Sequence, residues 1–247
     1  MLTTELYTIE IATTDFITTK SAVEGGADRI ELCAALTEGG TTPSFGMIKV
    51  CRKSFDVQLF PIIRPRGGDF LYSEEEFEVM ANDVTLCKEL GCDGVVLGLL
   101  DRQGNIDLPR TSKLVDLAYP LEVSFHRAFD RCKNPFEALE QLVDIGCHRI
   151  LTSGQQPTAP AGIDLISRLV KAADKRIIIM PGSGLRKENI HDLAAKTGAV
   201  EFHSSLRGKS KSKMEFIHPS FAASEESYTN PSIDAAEVKA LRKALES

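Results

Sequence analysis

Five side chains able to move protons or hold charge stand at the ends of short apolar segments. They are Glu10 in TIEIA, Glu31 in RIELC, Arg64 in FPIIR, His126 in VSFH and His203 in EFHSS. Carboxylates beside an imidazole can serve as general acid and base, and a guanidinium among them can pair with a carboxylate or neutralise an anion. Asp130, four residues after His126 in FHRAFD, joins them as a catalytic candidate. A second group suits anion binding. Gly182-Ser183-Gly184 in MPGSG, together with Ser153, Ser204 and Ser205, offers backbone N–H and hydroxyl donors, and Arg66 in PRGGD offers charge. Among the six cysteines only Cys33 and Cys132 belong near these residues, and Cys33 is the candidate metal ligand.

An internal repeat indicates which elements must position them. Four times a helix-like stretch ends in Gly, followed by Ala or Cys and then a short apolar strand: Gly26-Ala27-Asp28, Gly91-Cys92-Asp93, Gly146-Cys147-His148 and Gly198-Ala199-Val200. Gly supplies the left-handed turn that closes a helix. Between the strands that follow lie four more, at 6–12, 57–64, 121–126 and 176–182, giving eight strands alternating with helices. Ser73 with Glu76, and Asn134-Pro135 with Glu137, mark helix starts, and Phe77, Met80, Val84 and Cys87 form one apolar stripe over 74–90. Alternating β and α units with apolar strands predict an α/β fold, a (β/α)8 TIM barrel in a single domain, 1–247. No GxGxxG follows the first strand, which disfavours an open dinucleotide-binding sheet. Residues 205–231 read as a long polar loop. A last helix follows at about 233–246, with Val238, Leu241 and Leu245 on one face, and reads as the eighth barrel helix displaced by that long excursion.

In such a barrel the chemistry sits at the C-terminal ends of the strands, which is where all the residues above fall. His148, His191 and His218 do not, and neither do Cys92 and Cys147, which fill the small-residue slot of the repeat. Side chains alternate along a strand, so Glu10 shares a face with Ala12, and Glu31 with Cys33. Two inward glutamates need partners. Arg64, Arg66 and a protonated histidine are available, and a purely structural Glu10–Glu31–Arg64 plug is an equal alternative to a reactive site.

Composition narrows the partners. A formal net charge of −6 argues against a nucleic-acid binder, and no apolar run is long enough to span a membrane. The N-terminal stretch shows no secretion signal, so a cytoplasmic location and free thiols are expected.

Six stretches resemble the CutC family: 25–46 (GGADRIELCAALTEGGTTPSFG), 63–76 (IRPRGGDFLYSEEE), FHRAFD, LTSG, MPGSG and EFHSS. The resemblance runs from about residue 5 to 205. It implies a cytosolic (β/α)8 barrel, a homo-oligomer, with a role in copper homeostasis through Cu(I). It also implies two cysteine ligands, one from the first strand in a Glu-apolar-Cys pattern and one from IELC. Here the first strand reads Glu10-Ile11-Ala12, so Cys33 stands without that partner and weak Cu(I) binding is expected. Two functions follow. One is a copper-homeostasis protein. The other is an enzyme or sensor for a small anionic, phosphorylated metabolite, held near Glu10, Glu31, Arg64 and His126.

Overall fold

The computed structural model describes residues 7–222 and 228–247. The first six residues, part of the stretch read for a secretion signal, lie outside it, as do 223–227 of the polar run.

Strands and helices alternate through the chain. The strands are β1 (Thr8–Thr13), β2 (Arg29–Leu32), β3 (Gln58–Pro61), β4 (Gly94–Leu97), β5 (Glu122–Phe125), β6 (Arg149–Thr152), β7 (Ile178–Pro181) and β8 (Glu201–Ser204). The helices between them are α1 (Phe16–Glu24), α2 (Phe45–Ser54), α3 (Glu74–Glu89), α4 (Leu108–Ala118), α5 (Pro135–Asp144), α6 (Ile163–Ala173) and α7 (Ile190–Thr197). Two parallel arcs, ordered β3-β2-β1-β8 and β4-β5-β6-β7, are joined by single bridges at Ile62–Val96 and Gly182–His203. The result is an α/β fold of the (β/α)8 TIM barrel type.

The repeat junctions work as their composition dictates. Gly26, Gly91, Gly146 and Gly198 all adopt left-handed backbone, with φ between 71° and 87°. In three of them the following N–H, from Ala27, Cys92 or Cys147, bonds a carbonyl five residues back and closes the helix onto the next strand. The Ser73–Glu76 capping box is formed, and Asn134 caps α5. In the α3 stripe, Met80, Val84 and Cys87 are fully buried and Phe77 is half-buried.

After β8 the chain departs from the long polar loop expected over 205–231. It forms an antiparallel hairpin of β9 (Arg207–Lys211) and β10 (Thr229–Ile233). Every residue of β9 is exposed, so this strand carries no alternating apolar pattern for a sequence to reveal. The last helix, α8 (Ala235–Leu245), is the eighth barrel helix, set off from β8 by this excursion. It packs against α7 and α1 and completes the ring, with Val238, Leu241 and Leu245 buried. Gly25 makes that closeness possible, since a Cβ there would stand 2.5 Å from Val238 Cβ.

The apolar core lies between strands and helices, where Ile9, Ile11, Ile30, Leu32 and Val95 meet Ile48, Val84, Leu114 and Leu193. The inner face of the barrel is different. Glu10, Arg29, Glu31, Arg149 and Glu201 are all buried there.

Candidate functional site

The floor of the barrel is an ion network. Arg29 Nε donates to Glu10 Oε2 at 2.5 Å, and its Nη2 donates to Glu201 and, at 3.3 Å, to the sulfur of Met180. Arg149 completes the chain, reaching Glu201 at 3.0 Å and Glu122 at 2.7 Å. Both guanidinium groups lie about 5 Å from the centre of the Phe60 ring (5.2 and 5.3 Å). That ring fits because residue 94 is glycine, where any Cβ would come within 2.3 Å of it. The expected Glu10–Glu31–Arg64 plug is therefore not what forms. The partner of Glu10 is Arg29, while Arg64 spends its Nη atoms on the carbonyls of Glu38, Gly40 and Gly68 at 2.8–3.0 Å. Arg29 escaped notice because it opens its strand. Yet the two-residue alternation that turns Glu31 inward turns Arg29 inward as well.

One layer above, His203 sits between two carboxylates. Its Nδ1 is 2.7 Å from Glu10 Oε1, and its Nε2 is 3.7 Å from Glu31 Oε2. The three residues are buried, yet their proton affinities diverge. Burial pushes the Glu10 carboxyl up, but Arg29 and His203 together outweigh it and hold the pKa at about 2. Glu31 lacks the arginine bond. Burial dominates there, the Glu10 charge adds to it, and the pKa rises to about 7 despite His203. Burial disfavours the His203 imidazolium, but the Glu10 hydrogen bond and both carboxylate charges raise its pKa above the ordinary value. Glu10 is thus a fixed anion that orients an imidazole, and Glu31 is a carboxyl able to gain or lose a proton near neutrality.

Glu31 and His203 open upward into a cavity of about 370 Å³ at the strand C-termini. Its charged lining is otherwise arginine: Arg64, Arg127, Arg186 and Arg207. Arg64, His126 and Phe70 form one wall. The Phe70 ring lies 5.0 Å from the His126 ring and 5.0 Å from the Arg64 guanidinium carbon. His126 lies over Gly98, where a Cβ would be 2.5 Å from the imidazole. Burial and the Arg64 charge lower its pKa to about 3, so the ring is neutral. Its Nδ1 accepts from the Ala128 N–H at 3.1 Å, which puts the ring proton on Nε2. That Nε2 is a buried donor with no hydrogen-bond partner among the described residues, and the Arg64 Nε has no well-formed one, the buried Tyr72 hydroxyl being the polar group close to Arg64.

A larger cavity, about 660 Å³, separates the hairpin from the ends of β1 and β2. Its lining, mainly Thr, Ala and hairpin residues, carries no carboxylate or imidazole among the described residues, so the chemistry belongs to the smaller one.

The remaining candidates scatter. Ser183, Gly184 and Ser205 line the mouth cavity. Gly182 does not, because its N–H is used on the Thr152 carbonyl. The Ser204 hydroxyl bonds the Leu185 carbonyl at 3.1 Å. Asp130 is a clamp between loops: its carboxylate accepts from Arg127, Thr152, the Ser153 N–H and the Gln155 N–H, all within 3.1 Å. Ser153, 2.9 Å from Asp130, belongs to the same clamp. Arg66 turns outward to Glu76 at 2.5 Å and to Asp69 at 3.1 Å. Arg186 and Phe70 were not foreseen. They enter the mouth through loop paths that no strand period encodes.

Cys33 is buried among Phe60, Ile62, Val96 and Leu36, and burial with the Glu31 charge raises its thiol well above the ordinary value. Cu(I) favours thiolate and thioether ligands, and the thioether of Met180 already accepts from Arg29. In the β1–β2 register Ala12 pairs with Glu31, not Cys33, so positions 12 and 33 are diagonal neighbours rather than side by side. Glu10, Glu31 and His203 do bring ligand atoms within 4.8 Å of one another. Glu10, however, is already engaged by Arg29, whose charge opposes a cation.

Comparison with known proteins agrees with the fold. The protein from Chromobacterium violaceum named CutC is 47% identical over 241 residues, covering 96% of this chain and 98% of that one. A Parabacteroides distasonis relative of the same name is 54% identical, covering 84% of this chain and 86% of its own. The solved structure of the Streptococcus agalactiae CutC, named for copper homeostasis, superposes with a TM-score of 0.77 at 32% identity, over 81% of this chain and 98% of that one. More distant barrels, such as an aldolase at TM-score 0.60 and 12% identity, share the fold alone. No helix among the described residues is long and apolar enough to cross a membrane. The family profile described as the CutC family matches residues 7–208, and the chain belongs to that family.

Proposed function

We propose that this chain binds a small anionic metabolite, carrying a phosphate or carboxylate, in the barrel mouth and exchanges a proton with it through Glu31 and His203. The observation that carries this reading is the position of His203, held by Glu10 against Glu31 at the floor of a cavity whose other charged lining residues are arginines. A carboxyl with pKa near 7 suits general acid–base work at neutral pH. Three arginines at the rim, with Ser183 and Gly184 on the loop after β7, suit an anion, and this end of the barrel is where such folds commonly hold phosphate. The volume is at the small end of the range for ligand pockets, about 300–1,000 Å³.

Copper homeostasis, the role in the relative's name, has a lesser place here. Cys33 alone, with a raised thiol pKa, offers Cu(I) a weak site.

Titration with inorganic phosphate at constant ionic strength tests the reading. Binding with one site per chain is expected, with a stability gain of about 2.7 kcal/mol at a hundredfold excess over Kd. Absence of both binding and stabilisation would refute it.

A further inference from the structure

We propose that Arg64 Nε and His126 Nε2 receive a carbonyl oxygen, and that the mouth enolises a small anionic carbonyl compound with Glu31 as the base. This rests on the anion-binding reading above and names its substrate class.

Two buried donors on this wall lack a well-formed hydrogen bond. Arg64 and His126 are 3% and 4% exposed, and each is otherwise well held, Arg64 by three carbonyls and His126 by the Ala128 N–H. A buried N–H left unpaired costs free energy comparable to a lost hydrogen bond, and with the Tyr72 hydroxyl the one further polar group beside Arg64 and none at His126 Nε2, this wall calls for an acceptor. Their chemistry defines it. Neither group can accept, one is cationic and the other is a neutral imidazole, so the partner is an oxygen that gains negative charge. Phe70 covers both from one side, which lowers the local dielectric and strengthens their hold.

The same cavity carries the complementary group. The Glu31 carboxylate takes a proton from the carbon next to the carbonyl. The C–H electron pair becomes the C=C bond, and the carbonyl π pair moves onto oxygen, where the two N–H groups hold the enolate. Reversal returns the proton, exchanged with solvent, to carbon. The step is redox-neutral and needs no co-reactant.

The test is hydrogen exchange at carbon. The intact chain is incubated in D2O with dihydroxyacetone phosphate, glycolaldehyde phosphate or pyruvate, and loss of the α C–H signal is followed by proton NMR. Exchange at least tenfold above buffer is expected for one of the three. Glu31→Gln should lower it by about 10²-fold or more, as expected for loss of a general base. His126→Asn retains an oxygen that can accept from the Ala128 N–H but removes the Nε2 donor. It should lower exchange by about 10²–10³-fold. If phosphate binds and no compound exchanges, the enolisation proposal falls and the anion reading stands. If phosphate does not bind, the anion reading falls first. Exchange undiminished in folded His126→Asn would overturn the donor assignment. Should that variant fail to fold, nitrogen NMR of the unmodified protein decides. Adding 2-phosphoglycolate, whose carboxylate mimics the enolate, must shift the His126 Nε2–H resonance, and no shift overturns the proposal.

Discussion

Arg29 Nε and Glu10 Oε2 meet 2.5 Å apart at the centre of the barrel, both essentially without solvent exposure. Glu10 owes its depressed pKa to that contact and to His203, and with it the ability to hold His203 in place. Removing one partner of a buried pair strands the other charge, which typically costs 3–5 kcal/mol. Arg29→Met should destabilise the chain by about that amount in urea denaturation. Arg29→Met combined with Glu10→Gln should cost less than the sum of the two single changes.

Glu31 gives stability a slope of unusual sign. Its folded pKa is about 7 against an ordinary 4.5, so the unfolded chain ionises it first. Stability from this group is full below 4.5 and is lost as pH rises through 7. Glu31→Gln should flatten that stretch and be the more stable protein at pH 8, by on the order of 1–3 kcal/mol. Denaturation curves at pH 5 and pH 8 provide the comparison, and an unchanged slope would contradict the assignment.

His126 and Glu10 act in the opposite direction at acid pH. His126 titrates at about 3 when folded against 6.5 ordinarily, so its contribution fades as pH falls from 6.5 towards 3. Glu10 adds a second loss between 4.5 and about 2. The melting temperature should therefore fall steeply below pH 5, and His126→Asn should soften the upper part of that fall.

The rim arginines should govern anion affinity. Arg186→Met and Arg207→Met are each expected to weaken inorganic phosphate about tenfold, or about 1.4 kcal/mol, with little change in stability without phosphate. Arg66→Met, outside the cavity, should leave phosphate affinity unchanged.

For Cu(I), a colorimetric chelator should strip the unmodified chain readily, and Cys33→Ser should abolish the binding that remains. Ala12→Cys supplies a second thiol on the diagonal of Cys33, roughly 7–8 Å away between Cα atoms, and should tighten binding strongly. Tight binding that persists in Cys33→Ser would refute this view of the site.

Local chemistry alone was enough to place much of this molecule. Left-handed turns at Gly26, Gly91, Gly146 and Gly198 are dictated by residue type, and the Ser73–Glu76 cap by spacing, because each is satisfied within a few residues. Strand alternation likewise put Glu31, Arg64, His126 and His203 at the mouth, where all four line one cavity. Pairing was not legible in this way. Arg29 and Glu201 lie 172 residues apart, so only closure of the barrel brings Arg29 to Glu10 and Glu201. The β9–β10 hairpin left no trace either, since its exposed strand buries no face and needs no apolar period. The sharpest case is Glu10 and Glu31, equal in residue type and in position on their strands. The folded neighbourhood alone separates them, because a charge is set by what surrounds it in space: an arginine holds one ionised, and burial leaves the other able to take up a proton near pH 7.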